Sequence, residues 1–324
     1  MRTAWGLLLA LGVLGAPPLV HAQGPAKPPR VGIIHLSGHH QVMVEGLRQG
    51  LRELQLEEGK HFVLDIREVG GDLATVGDQA RKLERDGVAL IYTVNSQVTL
   101  AVKDATERTP IVFYVGANPV GLGLVNSLAK PGGRFTGVHG QSREVTAKRL
   151  AVLKQLVPKL HRVITVYRPA DNVASDNARV AREAARQLGV QIVERHVNSA
   201  DELRKELQAL KAREADAYFH TPSALSTSLA PAIIDAARAR KLPTMFHEQS
   251  LVAKGALAAY GHNYPEIGRL SAKYVQRILA GSHPKDLPVE NYDKVGFAVN
   301  LRVARELGIT IPPALRSQVD QFVQ

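Results

Sequence analysis

The 324-residue chain contains no cysteine, one tryptophan (Trp5), three methionines and only 5% aromatic residues. Without cysteine no disulfide can staple the fold, and thiolate zinc sites of the finger type are excluded. Beyond the N-terminus no apolar run approaches the roughly 20 residues that a membrane-spanning helix needs. The sequence also has no G-x-S-x-G elbow, no P-loop and no H-E-x-x-H, so three common enzyme signatures are missing. Gly121, Gly123 and Asn126 fill half of a dinucleotide fingerprint, with Asn126 where the third glycine belongs. The helix behind them is too short for that use, and the reading is rejected. No pair of carboxylates stands out from ordinary surface charge. Nothing argues for catalysis, and the chain is read as a non-enzyme.

What is present begins with a leader. Arg2, an apolar core from Trp5 to Leu14 and Val20-His21-Ala22 as a small-residue cleavage site have the form of a Sec-type signal peptide over residues 1–22. Residues 23–29 read as a flexible lead-in. The net charge is +11, or +10 with Arg2 set aside. The bases are spread along helical faces beside acids, as at Arg48, Arg52 and Glu53. That is a solvated basic surface, and no nucleic-acid partner is expected.

Behind the leader, strands and helices alternate. The runs 31–36, 62–69, 88–94 and 111–115 have strand composition, and amphipathic helices fall between them, as at 42–56 with Val44, Leu47, Leu51 and Leu54 on one face. Such alternation predicts right-handed βαβ units and a parallel sheet. Pro119 ends the fourth strand, because it lacks an N–H and biases Asn118 towards extended backbone. A short helix is expected at 120–129, then a turn at Pro131-Gly132-Gly133 and a fifth strand. The same rhythm restarts from residue 144, with one helix spanning 223–240 and a long amphipathic helix at 265–280. The chain is long enough for two domains of ordinary size.

Three blocks carry a family resemblance. The first is Pro119-Val120, Gly123-Leu124-Val125, Ser127-Leu128-Ala129, Pro131-Gly132-Gly133 and Thr136-Gly137-Val138. The second runs from Gly255-Ala256-Leu257 through Tyr260-Gly261, Ile267-Gly268 and Tyr274-Val275 to Asp286-Leu287-Pro288. The third is Asn300-Leu301 with Leu307-Gly308-Ile309-Thr310-Ile311-Pro312-Pro313. This ordered set resembles the ABC-transporter substrate-binding proteins that include tryptophan- and tyrosine-binding members. The resemblance implies a type I periplasmic binding fold: two Rossmann-like parallel-sheet α/β lobes joined by three crossovers. Lobe 1 is expected over 30–140 with 262–285, and lobe 2 over 141–261 with 286–324. It further implies a solute captured between the lobes and passed to an ABC permease of the inner membrane by a monomeric protein. A ligand-sensing partner of a receptor kinase or chemoreceptor is the alternative. With no cysteine to carry a lipid, a periplasm bounded by an outer membrane is the expected location.

In doubly wound sheets ligands bind beyond the carboxyl ends of the strands, where helix N-termini converge. The loops there supply the candidate site: Ser37, His39, His40, Asn95, Ser96, Asn118, Asn172, Ser175, Ser223, His247, Glu248 and Tyr264. Short hydroxyl and amide side chains suit a small polar ligand, and they suit helix capping equally well. In relatives that bind amino acids an acidic residue is expected to hold the ammonium. Many of those relatives resemble one another in an Asp before the proline, where this chain has Asn118, which leaves Glu248 as the other acid for that contact. His35, His39 and His40 cluster, but without Cys or H-E-x-x-H they are read as loop or ligand-lining residues, and neither metal nor cofactor is expected.

Overall fold

The computed structural model describes residues 27–36, 40–70, 72–140, 142–211 and 214–324. The signal peptide read over 1–22, and the candidates Ser37 and His39, lie outside the described residues. Among the described residues no helix is long and apolar enough to cross a membrane.

The first half alternates β1 (Arg30–His35), α1 (Gln41–Glu53), β2 (Val63–Glu68), α2 (Val76–Arg85), β3 (Leu90–Thr93), α3 (Ser96–Ala105), β4 (Ile111–Val115) and β5 (Phe135–Gly140). The chain then crosses to α4 (Ser142–Leu156), β6 (Arg162–Tyr167), α5 (Asn172–Leu188), β7 (Gln191–His196), α6 (Ala200–Ala209) and β8 (Ala217–Phe219). After these come α7 (Ala224–Ser228), α8 (Ala230–Ala239), β9 (Thr244–Phe246), α9 (Ser250–Ala253) and β10 (Ala258–His262). It recrosses into α10 (Tyr264–Leu279) and β11 (Glu290–Tyr292), and returns as β12 (Val295–Asn300), α11 (Leu301–Glu306), α12 (Pro313–Arg316) and β13 (Gln321–Val323).

The strands form two sheets. One has the order β2-β1-β3-β4-β5-β11, the other β7-β6-β8-β9-β10-β12-β13. All pairs are parallel except β10 with β12, which is antiparallel. Both sheets are buried on two faces by helices, so their strands read as continuous apolar runs: every residue of β3, β4 and β5 is buried. Helices bury one stripe each. Met43, Val44, Leu47 and Leu51 of α1 share a core with Ile267, Ala272, Val275 and Ile278 of α10. There the two backbones nearly touch. A Cβ on Gly46 would stand 2.0 Å from the Pro265 carbonyl oxygen, and one on Gly268 2.1 Å from that of Met43. Only glycine permits so close a crossing. It locks α10 to the first lobe although its strand neighbour β10 belongs to the second.

Three expectations change. The boundary at residue 286 falls too early, because β11 pairs with β5 (Glu290 opposite Val138), which keeps the chain in the first lobe to Tyr292. The expected helix at 120–129 is a set of turns. Asn118 Oδ1 accepts from the Val120 and Gly121 amides, and Gly123 turns left-handed at φ +63°, so no helical ladder propagates. The expected helix over 223–240 breaks at Leu229 into α7 and α8. Pro231 has no N–H to offer the Thr227 carbonyl one turn back.

Candidate functional site

The carboxyl ends of the two sheets face each other across a narrow cleft with a cavity of about 60 Å³. The first lobe contributes His40, Val94, Asn95, Ser96, Gln97, Tyr114 and Gly116, and the second Val173, Pro222, Ser223, Thr227 and His247, with Tyr264 at the recrossing. A larger hollow of about 320 Å³ lies at the amino ends of β6 and β8, lined by Lys159, Lys211, Arg240 and Lys241. It draws on one lobe only and on the end of the sheet where no helix N-termini converge. The cleft is therefore the candidate site.

On the first lobe the polar groups are held by backbone. Asn95 caps α3, its Oδ1 accepting from the Gln97 amide at 2.7 Å and the Val98 amide at 3.4 Å. The Ser96 hydroxyl accepts from the Gly116 amide at 3.2 Å and so ties the end of β4 to α3. On the second lobe Ser223 caps α7, accepting from the Ser226 amide at 3.0 Å. Asn95 and Ser223 each cap a helix and line the cavity at once, and Ser96 lines it while holding the Gly116 amide.

Aromatic and imidazole rings close the cleft. Tyr114 of β4 meets His262 of β10 across the lobes, hydroxyl to Nδ1 at 3.0 Å. Tyr264 stands edge-on to both Tyr114 (5.8 Å) and His247 (5.9 Å). His247 stacks on His220 at 4.8 Å with the rings 9° apart, and His220 stacks in turn on Phe246. Burial pulls His40 and His220 down to about 3 and His262 to about 4, the latter two also repelled by Arg149. His247 is driven well below its ordinary value by burial, then by His220, Arg149, His40 and His262. All four are neutral imidazoles at neutral pH.

Two further ionisable groups are buried behind this wall. Glu248, 2% exposed, is bonded to the Ser250 hydroxyl, and burial pushes its carboxyl up to about 8. Arg149 of α4, also 2% exposed, lies over the Phe219 ring. Its Nη2 donates to the Thr146 hydroxyl at 3.3 Å and the His220 carbonyl at 3.4 Å.

Of the sequence candidates, His40, Asn95, Ser96, Ser223, His247 and Tyr264 line the cavity, and Glu248 is buried next to His247. Asn118 and Asn172 do not reach it. Both are exposed, and Asn118 is spent on its own turn. Ser175 donates to the Pro169 carbonyl at 2.7 Å instead of to the cavity. Sequence reasoning missed Tyr114, Arg149, His220 and His262. Tyr114, His220 and His262 sit at or just beyond strand carboxyl ends, a signal that was available. Arg149 occupies a helical position with no mark to separate it from surface arginines. Among the described residues no group of three or more His, Asp or Glu is placed to hold a metal ion.

The model of the ABC transporter substrate binding protein family matches residues 31–323, and the chain belongs to that family. Its paired parallel-strand sheets are those of the type I periplasmic binding fold. A tyrosine-binding protein of Clostridioides difficile is 25% identical over 276 residues, 85% of this chain and 79% of that protein. An ABC domain in complex with L-Trp from Streptococcus pneumoniae superposes with a TM-score of 0.81 at 22% identity, covering 91% of this chain and all of that one. The ligand-free, open structure of a substrate binding protein with adhesive properties from Clostridium difficile gives 0.63 at 25% identity, with 91% and 99% covered.

Proposed function

We propose that this protein captures a small amino acid or aromatic carboxylate between its lobes and hands it, unaltered, to an ABC permease from the periplasmic side. Family membership makes it a substrate-binding protein of an ABC transporter, and such proteins typically work outside the cytoplasmic membrane. The relatives that hold L-Trp or are named for tyrosine support an aromatic ligand. The observation that carries the reading is the cleft itself. Polar groups from both lobes converge on one cavity, and a Tyr114–His262 bond joins the lobes. Closure needs a ligand that prefers the closed form, because a ligand shifts the balance only by its differential affinity.

Native mass spectrometry of the protein as purified, before any dialysis, tests this directly. A discrete added mass that disappears on unfolding is the expected result. Turnover of a bound compound would overturn the reading in favour of an enzyme. If the leader is removed as proposed, Trp5 leaves with it, and a retained tryptophan would be visible by its own emission.

A further inference from the structure

Arg149 is a buried cation without a buried anion. A guanidinium offers five N–H groups. Here Nη2 makes two long bonds to neutral oxygens, and Nε has no hydrogen-bond partner. Among the described residues no carboxylate pairs with it. Burying such a charge is unfavourable unless an opposite charge or strong acceptors compensate, and an unsatisfied buried donor calls for an explanation.

Its position supplies one. The His220 carbonyl that accepts from Arg149 belongs to the residue whose ring stacks on His247, and His247 forms the cavity wall with Tyr264. The arginine thus lies one ring layer behind the cleft. The groups that face it come from several elements: His220 after β8, His247 after β9, His262 ending β10 and Tyr264 opening α10. Among the described residues no Asp or Glu lines the cavity. Burial keeps the neighbouring Glu248 carboxyl protonated at neutral pH. The nearby Asp171 carboxylate is spent on the Val173 and Ala174 amides, which leaves Arg149 as an uncompensated positive charge behind the His220–His247 wall.

Building on the reading above, we propose that the ligand is a carboxylate that carries no ammonium group, and that Arg149 supplies its counter-charge from behind the His220–His247 pair. A zwitterionic amino acid would bring a cation to a lining without a carboxylate, whereas a monocarboxylate matches the lone charge.

The test is isothermal titration calorimetry with matched probes: 3-phenylpropionate, its primary amide and L-phenylalanine, then indole-3-propionate, its amide and L-tryptophan. The acid is expected to bind at least about tenfold tighter than its amide or amino acid, through the Coulombic attraction of the buried charge. Arg149→Lys keeps that preference, and Arg149→Met reduces it to about twofold or less. A purely structural arginine would lower the melting temperature of Arg149→Met and leave the acid-to-amide ratio unchanged, which overturns the proposal. Should the variants not fold, the wild-type ratios decide alone. Amides or amino acids binding as tightly as the acids overturn this inference and leave the cleft reading standing. A retained ligand without an acid group does the same. No binding by any probe, with no retained mass, overturns both.

Discussion

At the mouth of the first sheet, Asn95 and Ser96 spend their oxygens on backbone amides of their own lobe, and burial holds His40 neutral at neutral pH. At the mouth of the second, Arg149, His220, His247 and Glu248 are ionisable and almost wholly covered. The first lobe therefore presents a fixed set of hydrogen-bonding shapes, held whether or not the cleft is closed. Burial sets the protonation of the second lobe's groups, so any opening that wets them is coupled to a change of charge.

The largest effect is expected where the first lobe depends on a backbone contact. Gly46→Val drives a side chain into the Pro265 carbonyl and should cost about 3 kcal/mol or more. Urea unfolding would read this as a lower midpoint, with α10 released from α1. An unchanged midpoint would mean that the seam adapts and the lobes are not so differently built.

Acid comes next, and it separates the lobes by charge. His40, His220, His247 and His262 all have closed-state values below the ordinary 6.5, so the open or unfolded chain binds the extra protons. Closure is undisturbed above pH 6.5 and is opposed progressively as pH falls from there towards 4. At pH 5 His40 and His220, each held at about 3, contribute a penalty of about 2 kcal/mol apiece. Small-angle scattering should show the radius of gyration rising between pH 7 and pH 5. His247→Gln should blunt that rise, and an equal rise in the variant would remove His247 from the coupling.

Asn95→Ala removes the cap of α3 and is expected to cost about 1 kcal/mol of stability together with ligand affinity. Asn118→Ala, outside the cavity, should leave affinity unchanged by calorimetry. Equal losses in the two variants would move the cleft boundary. The smallest effect concerns Arg269, which ties Glu266 of α10 to Glu53 of α1 on the surface. Arg269→Ala should cost about 0.5–1 kcal/mol, and added salt should erase the difference.

Strands were the most legible part of the sequence. β1, β3 and β4 are short apolar β-branched runs, and burial on both faces leaves no ambiguity of pattern. β11 was not legible, because Glu290 and Asn291 are polar and exposed at a sheet edge, and only pairing with β5 defines the strand. The turns at 118–124 were misread because Leu122, Leu124 and Val125 give a helical apolar spacing that Asn118 and Gly123 override locally. For the site, strand ends named the right loops. They could not tell an asparagine that caps into the cleft (Asn95) from one that caps into solvent (Asn118). Arg149 was invisible because its burial is tertiary: Phe219 and His220 cover it, 70 and 71 residues further along the chain.

The seam between α1 and α10 sets a timetable for the growing chain. The first lobe starts the polypeptide, yet its outer helix and edge strand are supplied by residues 264–292. Until these arrive, Met43, Leu47 and Leu51 have no apolar cover from α10. The lobe begun first is thus completed only after the strands β6 to β10 of the other have been made. A chain cut short anywhere before residue 264 would present that bare helix face to water, and partners for aggregation are found through such faces.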